Sequence, residues 1–79
     1  MIYDPSDYFY YIRFYTDNYK NGTFSLDHLE EKLWLLESEK TKWENHRNYK
    51  SYFASVAALK KVINMITTKE IEKYESTRT

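Results

Sequence analysis

The sequence predicts an all-α fold, a compact antiparallel three-helix bundle with a short fourth helix at the C-terminus. Three observations support this prediction. The single proline and the single glycine of the 79-residue chain both stand where a helix would begin or end. Apolar residues recur every three or four positions along three segments, which is the spacing of a helix face. The strict alternation of apolar and polar residues that indicates strands is absent.

The first helix is predicted over residues 5–20. Asp4 suits the N-cap because its side chain can accept a hydrogen bond from a backbone N–H of the first turn, and Pro5 suits the first helical position. Gly22, in the Asn21-Gly22 pair, suits the left-handed backbone that commonly follows a helix. These flanking residues favour a helix, although aromatic residues are also common in strands.

This first helix carries seven of the chain's fifteen aromatic residues. At 100° per residue, one of its faces is predicted to pack in the core. That face consists of Tyr8, Tyr11, Ile12, Tyr15 and Tyr19. Tyr10 and Phe14 are predicted to point away from it, beside Arg13. Large aromatic side chains help a small domain to fill its core, but these outward rings exceed what one face can hold.

The second helix is predicted over residues 26–44. Ser25 is its predicted N-cap, and Phe24 before it can pack against Leu29 one turn into the helix. The predicted buried stripe consists of Leu26, Leu29, Leu33, Leu36 and Trp43. Leu35 is predicted to point almost opposite to this stripe, and Trp34 lies well off it.

The third helix is predicted over residues 48–66, with Asn45 or Asn48 as the candidate cap. Its predicted buried stripe consists of Tyr49, Tyr52, Val56, Leu59, Ile63 and Ile66. A second apolar strip behind it consists of Ala54, Ala58, Val62 and Met65. A free bundle has no internal use for this second strip unless the third helix is the central one.

Two features of the C-terminal half stay open. One continuous helix over residues 26–66 is an alternative to two separate helices, and it would need a partner chain to complete its core. Thr67 and Glu70 suit a capping box, which predicts a short fourth helix over residues 68–75 that contains Ile71 and Tyr74.

Composition narrows the class of protein. The chain has no cysteine, which excludes disulfides, thiolate metal sites and cysteine nucleophiles. It begins without the features of a secretory signal, and no stretch approaches the roughly 20 apolar residues that span a bilayer. A cytoplasmic protein is therefore expected. The many Tyr, Asn and Lys residues, whose codons are rich in A and T, hint at a low-GC bacterium or its phage.

Little in the sequence indicates an enzyme. His28 and His46 are eighteen positions apart and form no helical metal-binding pair, and one glycine cannot build a phosphate-binding loop. The acidic residues near position 28 match the positive end of a helix dipole better than a metal site. We therefore expect no catalytic residues, no metal and no cofactor.

The outward apolar residues favour a protein partner. Exposed apolar patches usually mark interfaces, and aromatic residues with arginine are enriched at binding hot spots. The predicted partner-binding residues are Tyr10, Arg13, Phe14, Trp34 and Leu35. We expect a regulator, inhibitor or adaptor of another protein. A homodimer is also expected if Leu35 and Ala58 pair across a two-fold axis, or if the long helix forms.

Nucleic-acid binding is the alternative. Residues 1–39 contain three basic and eight acidic side chains, a net charge of −5, whereas residues 40–79 contain nine and four, a net charge of +5. The candidate contacts are Lys42, Arg47, Lys50, Lys60 and Lys61, with the rings of Trp43, Tyr49 and Tyr52 among them. The neutral whole-chain charge and the presence of only three arginines argue against this alternative.

Overall fold

The computed structural model describes residues 3–73, and every regular element in that range is a helix. The elements are α1 (Pro5–Lys20), α2 (Leu26–Ser38), α3 (Lys40–Glu44), α4 (Tyr49–Thr67) and a short 3₁₀ helix (Glu70–Lys73). The predicted all-α bundle is confirmed. None of the helices in the described range combines the length and the apolar character that crossing a membrane requires.

Both ends of α1 lie where the sequence predicts them. The Asp4 carboxylate accepts hydrogen bonds from the backbone N–H of Ser6 at 2.9 Å and from its hydroxyl at 2.8 Å. These two bonds stabilise the ionised carboxylate and lower the pKa of Asp4. At the other end, Gly22 has φ of 86°, the left-handed conformation that a residue with a side chain adopts only with strain.

The start of α2 is confirmed, but its predicted end is wrong. The Ser25 hydroxyl caps the helix by accepting from the His28 N–H at 3.1 Å. The helix ends at Ser38 rather than at residue 44, and the separate α3 follows it. The Leu36 carbonyl explains this break, because it accepts hydrogen bonds from the N–H of Glu39 and from the hydroxyl of Tyr52 on α4. The contact with Tyr52 therefore occupies the Leu36 carbonyl, which in a continuous helix would accept a hydrogen bond from a backbone N–H of the next turn.

α2 and α4 are separate helices, so the continuous helix over residues 26–66 is excluded. Tight turns reverse the chain between them, with hydrogen bonds from the His46 N–H to the Trp43 carbonyl and from the Tyr49 N–H to the His46 carbonyl, both at 3.0 Å. α4 begins within one residue of its predicted start. Asn48 is its N-cap, but the Asn48 side chain makes no capping hydrogen bond. The backbone N–H of Asn48 instead donates to Nδ1 of His46 at 3.1 Å.

The predicted capping box after α4 does not form. Thr67 is the last residue of the helix, and its hydroxyl donates to the Asn64 carbonyl at 3.1 Å. The Glu70 carboxylate accepts from the hydroxyl of Thr68 at 3.2 Å instead. The 3₁₀ helix that follows begins at Glu70 rather than at residue 68, and it contains Ile71, which is buried. Tyr74 and residue 75, the last two residues of the predicted fourth helix, lie outside the described residues.

α4 is the central element of the bundle. α1 and α2 each pack along it and have few contacts with each other. Two hydroxyl pairs link α1 to α4, Tyr11 with Ser51 at 3.1 Å and Tyr15 with Ser55 at 2.8 Å. In both pairs the α4 residue is 40 positions after the α1 residue, so α1 and α4 run in the same direction.

The central position of α4 gives its second apolar strip a place in the core. All four residues of that strip are buried, which means that they are not available as surface for a dimer. The core cluster consists of Ile12, Tyr15, Leu29, Ala58, Leu59, Val62, Met65 and Ile71. The predicted inner face of α1 is confirmed, because its three other tyrosines are half-buried and pack against this cluster.

Candidate protein-binding surface

The outer face of α1 presents aromatic rings to solvent. Tyr10 is 60% exposed and Phe14 is 39% exposed, and Arg13 between them is also exposed. All three lie on the side of α1 away from the core, where the sequence predicts them. The two rings stack nearly parallel, with centroids 6.3 Å apart and an angle of 11° between their planes.

These rings continue into a longer row of aromatic side chains that crosses the turn to α2. Phe14 meets Phe24 edge to face at 5.8 Å, and Phe24 stacks on His28 at 4.9 Å. We call the four residues Tyr10, Phe14, Phe24 and His28 the aromatic ridge. Each ring is held by at least one neighbour, so the ridge is a preformed surface rather than a set of independent side chains.

Phe14 also helps to hold the fold together. Its ring packs edge to face on the buried Tyr15 at 5.3 Å, and its carbonyl accepts a hydrogen bond from the side-chain amide of Asn18 at 2.8 Å. Phe14 is therefore the base of the ridge, and its truncation is expected to weaken folding as well as any contact with a partner. Tyr10 is the ring that can be changed with the least effect on the core.

The two predicted residues on α2 do not lie together. Leu35 is 50% exposed and is seven residues after His28, which places it on the same side of α2 as the ridge. Trp34 is 67% exposed, but at 100° per residue it lies about 100° around the helix from Leu35. Within residues 3–73, no aromatic ring stacks with Trp34. Leu35 thus lies on the same side of the molecule as the aromatic ridge, whereas Trp34 lies on a different face of α2.

Sequence reasoning missed two residues of this surface, Phe24 and His28, and one exposed ring outside it, Phe9. Phe24 and His28 complete the ridge. In the sequence, Phe24 directly precedes the N-cap of α2 and is expected to pack against Leu29, and His28 lies in a polar first turn. Neither residue is therefore recognisable as exposed aromatic surface from the sequence. Phe9 is 65% exposed, and its ring contacts Tyr8 edge to face at 5.3 Å. It lies about 100° around α1 from Tyr10. The helical angle of Phe9 is therefore the sequence feature from which its exposure could have been predicted.

The five candidate nucleic-acid contacts are all exposed, but they are spread over three parts of the chain. Lys42 is on α3, Arg47 is in the turn after it, and the three others are on α4. Lys60 forms an ion pair with Glu37 at 3.0 Å. Trp43 and Tyr52 stack on each other at 5.6 Å, and Tyr52 is buried, so each ring is partly covered by the other.

The described residues contain no group of three His, Asp or Glu side chains arranged to hold a metal ion. His28 belongs to the ridge, and His46 packs against the Trp43 ring at 4.7 Å. Comparison with protein-family models, with curated proteins and with solved structures found no match to this chain.

Proposed function

We propose that this chain is a small non-enzymatic binding module that regulates, inhibits or adapts another protein, and that the aromatic ridge with Arg13 is its docking surface. The single observation that carries the proposal is the stacked, exposed pair of Tyr10 and Phe14 on the side of α1 that the core does not use. Rings that are already held in place lose little freedom on binding, which favours affinity.

The chemistry of the ridge indicates what the partner must offer. Tyr10 and Phe14 fit an apolar groove, while the guanidinium of Arg13 can pair with a carboxylate in a bidentate arrangement. Leu35 extends the same side with an aliphatic group. A cytoplasmic location and a phage origin belong to the proposal as well, supported by the absence of cysteine and by the residue composition.

A pull-down from the lysate of the native host, read by mass spectrometry, tests the proposal. The tagged chain is compared with its Tyr10→Ala variant and with Phe9→Ala as a matched control, because both rings are on α1 and similarly exposed. We expect the wild type and the control to retain the same partner and Tyr10→Ala to lose it. Equal retention by all three would contradict a role for the ridge.

A second copy of this chain is the alternative partner for the same surface. The buried Ala58 strip and the separate helices remove two of the routes to a dimer, which leaves the ridge and Leu35 as the surface for self-association. Light scattering over a wide range of concentration measures this directly. A mass of 9.7 kDa throughout would exclude the homodimer.

Nucleic-acid binding is the second candidate function, favoured by the exposed basic side chains and the net charge of +5 over residues 40–79. Binding to phosphates releases counterions, so its affinity falls steeply with salt. Retention on a DNA column at low salt, lost at moderate salt and weakened by Lys50→Ala with Lys61→Ala, would support this candidate over a protein partner.

A further inference from the structure

An open pocket of about 360 Å³ lies where α1, α2 and α3 meet the first turns of α4. It is separate from the aromatic ridge, because it uses Tyr11 on the inner side of α1, whereas Tyr10 and Phe14 point outward. Its volume is near the lower end of the roughly 300–1,000 Å³ found for ligand pockets. It therefore has room for one ring system.

The Trp43 and Tyr52 rings both line this pocket, and we call them its aromatic wall. The Trp43 and Tyr52 rings are almost parallel, with 7° between their planes. The Trp43 indole N–H donates to the carboxylate of Glu39 at 3.2 Å, and the Tyr52 hydroxyl donates to the Leu36 carbonyl. These hydrogen bonds hold both rings in position, so the wall is formed before any ligand arrives.

Polar groups make much of the remaining lining. The hydroxyls of Tyr11 and Ser51 are 3.1 Å apart, and the hydroxyl of Ser55, which also lines the pocket, is 2.8 Å from that of the buried Tyr15. Each pair needs only one of its two O–H protons for the mutual hydrogen bond, which leaves a second proton for donation. The side chain of Asn48, which makes no capping bond to α4, adds an amide donor and acceptor.

Among the described residues, no charged side chain lines the pocket. Burial raises the pKa of the Tyr52 phenol more than three carboxylates do, and two of these carboxylates are in ion pairs: Glu37 pairs with Lys60 at 3.0 Å, and Glu44 pairs with Lys40 at 3.9 Å. Glu39 accepts the hydrogen bond from Trp43. A charged ligand would lose its hydration without gaining an opposite charge on the wall, and this favours an uncharged one.

We propose that this pocket binds a small, planar, uncharged ring with hydrogen-bonding groups on its edge. The ring packs against the aromatic wall, and its edge groups meet the hydroxyls and the amide that also line the pocket. Phenols and nucleobases share this chemistry. The site goes beyond the proposed function, since it uses a different side of α1 and none of the ridge residues.

Two-dimensional ¹H–¹⁵N NMR of the full chain tests the proposal with phenol as the probe. The chain has two tryptophans, and only Trp43 lines the pocket while Trp34 is exposed on α2. We expect phenol to shift the Trp43 indole N–H signal saturably, with a Kd on the order of 1 mM, and to leave the Trp34 signal unmoved. No saturable shift, or equal shifts at both indoles, would overturn the proposal.

Variants and related probes complete the test. Ser51→Leu fills the pocket and should weaken phenol binding by about tenfold or more, whereas Asn64→Leu, at an exposed position on α4 outside the pocket, should leave it unchanged. Cyclohexanol, benzoate and benzylamine should bind more weakly than phenol, and equal binding by them would contradict a planar, uncharged ligand. If Ser51→Leu does not fold, titration of the wild type with phenol, cyclohexanol, benzoate and benzylamine still tests the proposal. N-acetyltyrosinamide and adenosine then distinguish a tyrosine side chain from a nucleobase as the natural source of the ring.

Discussion

At the residue scale, Thr16 is the polar side chain with the least compensation for its burial. It is fully buried on α1, and its hydroxyl oxygen has no hydrogen-bond partner within the described part of the chain. A buried hydroxyl without a partner costs about 1–3 kcal/mol of stability. Valine has nearly the same shape and a similar helix propensity, so it can occupy this position without that cost.

We therefore predict that Thr16→Val stabilises the protein by about 1 kcal/mol, which raises Tm by about 4–8 °C in a domain of this size. The control is Thr41→Val, the same change at an exposed position on α3, where little effect is expected. Thermal melts followed by circular dichroism measure both. A lower Tm for Thr16→Val would mean that the hydroxyl is satisfied and stabilises the core.

The ionisation of Tyr15 makes the stability of the folded protein depend on pH in the alkaline range. Burial raises the pKa of its phenol above the ordinary value of 10.0, although the hydrogen bond with Ser55 opposes this shift. The folded state therefore holds the phenol proton more tightly than the unfolded state does. The resulting stability is fully present below about pH 10 and is lost as the pH rises through the higher pKa of the folded state.

We predict that Tm falls above about pH 10 and that Tyr15→Phe makes this fall shallower. Near neutral pH, the variant should lose about 1 kcal/mol, because Ser55 is left buried without its partner. Burial also raises the pKa of Tyr8 and Tyr52, so part of the fall should persist in the variant. Identical pH profiles for the variant and the wild type would show that Tyr15 does not contribute.

At the element scale, two turn residues have left-handed backbones. Gly22 follows α1 with φ of 86°, and an added Cβ there would meet no atom within 4 Å. Lys69 follows α4 with φ of 67° and carries a side chain. The left-handed conformation costs an L-residue about 1–2 kcal/mol, and glycine avoids that cost.

We predict opposite effects at these two turns. Gly22→Ala should lower the free energy of unfolding by about 1 kcal/mol through the backbone alone, whereas Lys69→Gly should leave it unchanged or raise it by up to about 1 kcal/mol. Urea denaturation measures both changes. A loss of stability in Lys69→Gly larger than that in Gly22→Ala would contradict the conformational account.

The elements show which features of the fold are predictable. The start of each of the first two helices depends on a neighbouring cap, Asp4 or Ser25, and local sequence contains that information. The end of α2 cannot be predicted from local sequence, because it depends on the hydroxyl of Tyr52, which is sixteen residues away from the Leu36 carbonyl. The Tyr11–Ser51 and Tyr15–Ser55 pairs are likewise invisible in sequence, since they require the register of α1 against α4.

At the scale of the whole molecule, the central position of α4 decides which apolar residues are surface. Because α1 and α2 both pack on it, the strip containing Ala58 is core, and the exposed large apolar side chains of the described residues lie on α1 and α2. The outward rings of Tyr10 and Phe14 were predictable from helical angles. Their continuation through Phe24 and His28 was not, because it depends on how the turn folds back.

The central claim is that folding and partner binding are separable at Tyr10. Its ring is mostly exposed and outside the core, so Tyr10→Ala should change Tm little, whereas Tyr11→Ala should destabilise the protein by at least about 2 kcal/mol through lost packing and the lost bond to Ser51. An aromatic anchor at the centre of an interface contributes about 2 kcal/mol or more to binding, which is about thirtyfold in Kd.

The most direct measurement is therefore the Kd of Tyr10→Ala for the partner recovered by pull-down, determined by calorimetry beside wild type and Phe9→Ala. We predict a Kd about thirtyfold weaker for Tyr10→Ala, a Tm close to that of wild type, and an unchanged Kd for Phe9→Ala. Unchanged affinity of a folded Tyr10→Ala variant, or the same loss in Phe9→Ala, would contradict the claim that the aromatic ridge is the docking surface.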